Sequence, residues 1–302
     1  MPNRQRLARY AWLSIGTAVF TITLKLTAWT ITDSVGLLSD ALESGINLIT
    51  AVVALIILNV AARPPDEEHT FGHTKAEYFS IGLEGGMILL AGILIIIAAI
   101  PRLITPVPLE GVGIGLLISV IASLANLGTA LLLRRAGQKN NSITLTGESK
   151  HLLTDVWTSV GVILGVALVG LTGWDRLDPI IALLVAANIL YTGWRLLTEA
   201  ANGLMDISLP AEEITEVEAI LNKYSEQGVE YHALRTRQSG VQRFVSVHVQ
   251  MPGDWSLQQA HTLSEEIELD LRQAMMPVSI IIHLEPIEDP VSYADIPLIR
   301  ED

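Results

Sequence analysis

The chain of 302 residues contains no cysteine. Disulfide frameworks and thiolate metal sites are therefore excluded. Charged residues are scarce at 17% and aromatics at 5%. The 19 Lys and Arg are outnumbered by 32 Asp and Glu, so a basic footprint for nucleic acid is missing. The glycines of GLEGG follow no strand and open no strand–helix–strand unit, so neither nucleotide binding nor ATP-driven pumping is expected. No HExxH or similar hydrolytic motif occurs, and an enzyme is not expected. A signal-peptide cleavage pattern is missing too, and the first apolar run is long enough to remain in a membrane.

Apolar residues, by contrast, make up half the chain, and the mean hydropathy is +0.45. They concentrate before about residue 200, which predicts a membrane domain over 1–207 and a small soluble domain over 208–302. Six segments, near 9–31, 36–60, 79–100, 111–133, 146–171 and 177–198, are each long enough to span a hydrocarbon core, which takes about 20 helical residues. Helices are expected because lipid cannot satisfy open backbone groups. With the N-terminus inside, the inner loops and ends receive Arg4, Arg6, Arg9, Arg63, Lys75, Arg134, Arg135, Lys139 and Lys150. The outer loops receive only Arg102 and Arg176. This asymmetry predicts a multi-pass protein of the inner or plasma membrane with both termini cytoplasmic.

The tail carries most of the acids and reads as helix, strand, strand, helix, strand. A helix begins after Pro210, an alternating strand reads RFVSVHVQM, Asp254 or Ser256 caps a second helix, and VSIIIHLEP closes the set. The fold class is thus an α-helical membrane protein of six transmembrane helices followed by a cytosolic α+β, ferredoxin-like αββαβ domain.

Ionisable groups at membrane depth are costly and mark function. The second span offers Asp40, Glu43 and Asn47 in SDALESGIN, and the fifth offers His151 and Asp155 in HLLTD. Glu43/Asn47 and His151/Asp155 are each four residues apart, one turn along one helix face. Two facing helices can then supply four ligands to a tetrahedral divalent ion. Polar helix faces bonding within the bundle are the alternative. The loop PPDEEHTFGHTKAE sets Asp66, His69 and His73 close in sequence. His69 and His73 share a face if the stretch is helical, which Gly72 disfavours, and a plain solvated loop is the alternative. In the tail, His283 and Glu285 point to one face of a strand, His248 lies on a neighbouring strand, and His232 and His261 complete the histidines. Scattered surface histidines are the alternative there. Lys25 in the first span suits a structural ion pair with a carboxylate such as Asp40.

Six spans, the loop motif, the HxxxD of span five and the histidine-bearing tail together resemble the cation diffusion facilitators, divalent-metal/proton antiporters, in particular the bacterial zinc and ferrous-iron efflux branch. The resemblance implies a transport site at Glu43, Asn47, His151 and Asp155. It implies a loop site at Asp66, His69 and His73, and cytosolic sites at His232, His248, His261, His283 and Glu285. It also implies a Lys75–Asp206 charge interlock and a homodimer. Members commonly carry Asp or His in the span-two pair, so Glu43 with Asn47 departs from the pattern, as does Glu285 in place of Asp. The expected function is export of Zn²⁺, Fe²⁺, Mn²⁺ or Co²⁺ in exchange for protons across a lipid bilayer, with no required cofactor beyond the metal ions. A metal-sensing or partner-stabilising subunit with little transport of its own is the competing expectation.

Overall fold

Backbone groups that enter lipid must bond within their own segment, and the first two-thirds of the chain is accordingly helical. The computed structural model describes residues 4–61, 63–140, 143–240, 242–294 and 296. Six long helices come first: α1 (Arg4–Thr32), α2 (Val35–Ala61), α3 (Ala76–Ile104), α4 (Val112–Asn140), α5 (Ile143–Thr172) and α6 (Leu177–Leu204). Each covers the span predicted for it, α4 starting one residue later than predicted, and runs past at least one of its ends. Among the described residues, α1 and α3–α6 contain stretches long and apolar enough to cross a membrane. At 27 residues α2 has comparable length, but several of its side chains lie outside the described residues. RRAGQKN, expected as a break, continues α4 to Asn140, because charged residues past the hydrocarbon cost a helix nothing.

The chain divides into two compact units, one of residues 1–56 and 80–198, the other of 57–79 and 199–302. The first exposes apolar side chains and buries polar ones beside its apolar clusters. Ile97, Leu117, Leu124, Leu164 and Leu184 are exposed, whereas Ser14, Thr21, Lys25 and Thr32 line a buried stripe of α1. Thr17 on that stripe hydrogen-bonds Thr129 of α4 at 2.9 Å. Helices α3 and α6 cross at paired glycines, where a Cβ on either Gly85 or Gly193 would lie 3.0 Å from the other's carbonyl oxygen. Gly86, Gly113 and Gly161 have nothing within 4 Å of a Cβ. Gly86 shows why: one residue beyond Gly85 rotates it about 100° off the contact.

The N-terminus of α2 is capped from another helix. Asp178 of α6 accepts from the Ser34 hydroxyl at 2.5 Å and from the backbone N–H of Val35 at 2.8 Å and of Gly36 at 3.2 Å. A carboxylate suits the orphan donors and the positive dipole end of a helix, and this one ties down the helix that carries Asp40 and Glu43.

In the second unit, α7 (Ala211–Asn222), β1 (Glu230–Ser239), β2 (Gln242–Met251), α8 (Leu257–Met275) and β3 (Val278–Pro286) give the expected αββαβ order. The sheet order is β1-β2-β3, with β1 antiparallel and β3 parallel to β2. Alternation along β2 buries Val245, Val247 and Val249 against Val217 and Ile220 of α7 and Leu263, Ile267 and Leu271 of α8. Ser256 caps α8 in a reciprocal capping box with Gln259.

Replacing Asp178 by Ala leaves three buried donors unpaired and is expected to destabilise the protein by about 1–3 kcal/mol. Thermal unfolding of the purified protein in detergent checks this, with Asp178→Asn losing less because the amide retains an acceptor.

Candidate metal centres

Three of the membrane helices converge on one buried ammonium. Lys25 of α1 donates to Asp40 of α2 at 2.9 Å, to Ser44 of α2 at 2.6 Å and to Asp155 of α5 at 3.3 Å. The side chains of Lys25, Asp40 and Asp155 are 1%, 1% and 5% exposed. Asp155 also accepts from Asn126 of α4 at 2.7 Å, and Ser159 of α5 donates to Asp40 at 2.7 Å. Glu43 of α2 lies within electrostatic range of Asp155, Asp40 and Lys25. Glu43 Oε2 and Asp40 Oδ2 are buried carboxylate oxygens that accept no hydrogen bond among the described residues. The expected Lys25–Asp40 ion pair is therefore present and extends to Asp155. The side chains of Asn47 and His151 lie outside the described residues.

Ser44, Asn126 and Ser159 were not anticipated. A signal existed for Ser159, four residues after Asp155 and eight after His151 on one helical stripe. Asn126 shares a buried helical stripe with Ser119 and Ser123, but nothing in the sequence pairs it with Asp155.

Asp66, His69 and His73 do come together, but not on a helix. The stretch is a tight loop in which Gly72 takes φ +85°. Asp66 Oδ1 accepts from the backbone N–H of His69 at 2.7 Å and of Glu68 at 3.1 Å. These bonds turn the chain so that His69 Nδ1 lies 3.3 Å from Asp66 Oδ1 and His73 Nε2 lies 3.2 Å from Asp66 Oδ2. The two imidazole rings are 4.5 Å apart. The backbone N–H of His69 holds the Asp66 carboxyl below the usual carboxylate range, against a slight opposing effect of burial and with help from His73. An ionised carboxylate between two imidazoles fits a divalent cation.

In the tail, strand register builds the cluster. His232 pairs across the sheet with His248, and His248 with His283, so three histidines stand side by side on successive strands. The β1–β2 register shifts just after His232, where Ala233 takes φ +48°, a bulge that re-aims the strand beside the site. Glu285 is 5% exposed and reaches two imidazoles: Oε2 lies 2.8 Å from His232 Nε2 and Oε1 lies 3.0 Å from His248 Nδ1. The His232–Glu285 contact is short yet misaligned for a hydrogen bond, as suits groups converging on a common ion rather than on each other. His283 is 61% exposed and stands 3.6 Å from Glu285 at the cluster's edge. His261 is not brought in: it lies on α8, 60% exposed, 4.0 Å from Glu265.

Lys75 and Asp206 pair at 2.9 Å. Asp206 follows α6 in a left-handed conformation, φ +61°, and also accepts from Arg237 of β1 at 3.1 Å. The Arg237 guanidinium lies over the rings of Phe244, at 4.0 Å, and Phe71, at 5.2 Å. Arg237 thus joins the loop of Asp66, His69 and His73 to the sheet, a role no sequence spacing signalled. Burial alone would raise the Asp206 carboxyl, but the bonds from Lys75 and Arg237 outweigh it and hold it below the usual range. A carboxyl depressed on folding adds stability that is complete above its unfolded value near pH ~4 and is lost as pH falls through the folded value. Asp206→Asn should therefore flatten the acid limb of the stability–pH curve and cost about 0.5–1 kcal/mol at neutral pH. Thermal melts across a pH series measure both.

The family model for the cation efflux transmembrane domain matches residues 11–205, and that for the cation efflux protein cytoplasmic domain matches residues 209–287. An uncharacterized transporter of Synechocystis sp. is 50% identical over 289 residues, covering 95% of this chain and 93% of that protein. The cation-efflux pump FieF of Klebsiella pneumoniae is 30% identical over 281 residues, covering 93% of each. A solved structure of CzrB, described as a zinc transporter, in its zinc form, is 34% identical over 27% of this chain and 93% of its own, with a TM-score of 0.26. Matched in order by both regions, with its polar groups folded inside an apolar helical bundle, this chain belongs to the cation efflux family of multi-pass membrane transporters and is not an enzyme.

Proposed function

We propose that this transporter exports a divalent transition-metal cation from the cytoplasm in exchange for protons, using Glu43, Asn47, His151 and Asp155 as the transport site. The observation that carries the reading is the buried carboxylate group of α2 and α5. Asp155 and Glu43 sit within an apolar bundle, and a buried Glu43 oxygen lacks a donor among the described residues. Buried charge that is not fully compensated within the protein suits a cation as its partner. A donor set of imidazole, carboxylate and amide accepts Zn²⁺, Fe²⁺, Mn²⁺ or Co²⁺, and Zn²⁺ and Fe²⁺ are the first to test.

Proton exchange follows from ligand chemistry. A metal takes neutral imidazole and ionised carboxylates, so loading expels protons and protonation releases the ion. Asn47 does not titrate, so coupling falls on Glu43, His151 and Asp155. Rocking of helices around a fixed midplane site would alternate its access. The excess of Lys and Arg in alternate loops supports cytoplasmic termini in an inner or plasma membrane. We further propose that Asp66, His69 and His73 hold a second ion near the cytoplasmic surface. His232, His248 and Glu285, with His283 beside them, hold a third in a homodimer, where it braces the soluble domain. His261 joins such a site only if a second copy supplies it.

In proteoliposomes with an imposed pH gradient, wild-type protein should move Zn²⁺ in a proton-dependent manner. Asp155→Ala should fall to background, a loss of at least about 100-fold, on the scale of removing one charged ligand from a buried site. Undiminished, pH-insensitive flux in that variant, or no flux in the wild type, would overturn the reading, the latter in favour of a metal sensor. Equilibrium dialysis provides a separate check: Glu285→Ala should bind one Zn²⁺ fewer per chain, and Asp155→Ala should leave the tail ion in place.

A further inference from the structure

Lys25 is more than a brace between helices. An ammonium has three donors, and here all three are used: on Asp40, on Ser44 and on Asp155. Its longest contact, at 3.3 Å, is to Asp155, the one partner that also serves as a proposed metal ligand. The two shorter contacts both go to α2, one turn apart. Letting go of Asp155 would leave the ammonium with a carboxylate and a hydroxyl and so would not strand it.

We propose that Lys25 is a tethered cation that occupies the transport site in the metal-free protein and yields Asp155 to the incoming ion, which makes it a specificity-determining residue for the transport reaction. This rests on the reading of Asp155 as a transport ligand. A divalent ion and an ammonium cannot share one face of the same carboxylate without repulsion, so they compete. Lys25 therefore lowers metal affinity and keeps Asp155 compensated while the carrier is empty, when a bare buried carboxylate would be costly. Lys25 also sets the charge the ion must match. With the carboxylates ionised as ligation requires, one ammonium against Asp40, Glu43 and Asp155 leaves two net negative charges. A divalent ion neutralises these, and a monovalent ion does not.

The test removes the tether while keeping that net charge. Lys25→Met with Asp40→Asn deletes one positive and one negative group together, so the net charge is unchanged and Asp155 keeps its bonds from Asn126 and Ser44. In proteoliposomes containing the full chain, this paired variant should show a KM for Zn²⁺ about tenfold lower, the scale of one charge-assisted hydrogen bond. Its kcat should be lower as well, because the ion leaves more slowly. Lys25→Arg, which retains the cation, should stay within about threefold of the wild-type KM. A merely structural lysine would lower kcat or yield without shifting KM. An unchanged or raised KM in the folded paired variant overturns the proposal. Failure of both this pair and Lys25→Gln with Asp40→Asn to fold also overturns it, by making Lys25 a brace alone. Asp155→Asn separates the two ideas. If it abolishes flux while the Lys25 pair leaves KM unmoved, the transport site stands and the tether falls. If Asp155→Asn transports normally, both fall.

Discussion

A charge inside a low-dielectric bundle must be compensated at short range, and the membrane half of this protein is organised around that demand. Lys25, Asp40 and Asp155 come from three different helices and are nearly inaccessible. None is tolerable alone, because an unpaired buried ion costs several kcal/mol. Their mutual pairing therefore fixes how α1, α2 and α5 lie against one another, and Ser44, Asn126 and Ser159 add further hydrogen bonds to the same three ions. The same demand acts at the end of α2, where Asp178 supplies from α6 the acceptor that the first turn lacks. Helices whose outward faces are uniformly apolar have little else to set their rotation, since lipid is as apolar as leucine.

The soluble half meets a different constraint. A sheet with one face packed on helices must place alternate residues outward, and β2 does so with valines inward and His248 outward. Cross-strand register then carries His232 and His283 to the same row. The cluster costs the fold little, because it uses the face that the core does not need. Glu285, buried among the histidines, is the expensive member, 2.8 Å from His232 and 3.0 Å from His248.

The loop of Asp66, His69 and His73 belongs to the same compact unit as the sheet. Its shape comes from backbone bonds to one carboxylate oxygen, which leaves the other for His73. Phe71, inside the same loop, shares Arg237 with Phe244, and Arg237 shares Asp206 with Lys75. A change at the histidines thus has a short, packed route to β1 and β2.

Hydropathy alone placed the apolar parts of all six long helices, whose polar ends run up to seven residues further, because a span is defined by composition and length. Period-two and period-3.6 patterns placed the αββαβ elements for the same reason. The residue types at the candidate sites were also legible, since ionisable groups in apolar runs stand out. Partnership was not. Lys25 and Asp155 are 130 residues apart, and nothing in the sequence pairs them. His261 reads like its fellow histidines yet points elsewhere, Gly86 reads like Gly85 yet faces open space, and Arg237 reads as an ordinary strand residue. One-dimensional periodicity specifies which face of each element is polar. Only the packing of those faces decides which polar groups meet, because that depends on rotations and registers set jointly by every contact in the fold.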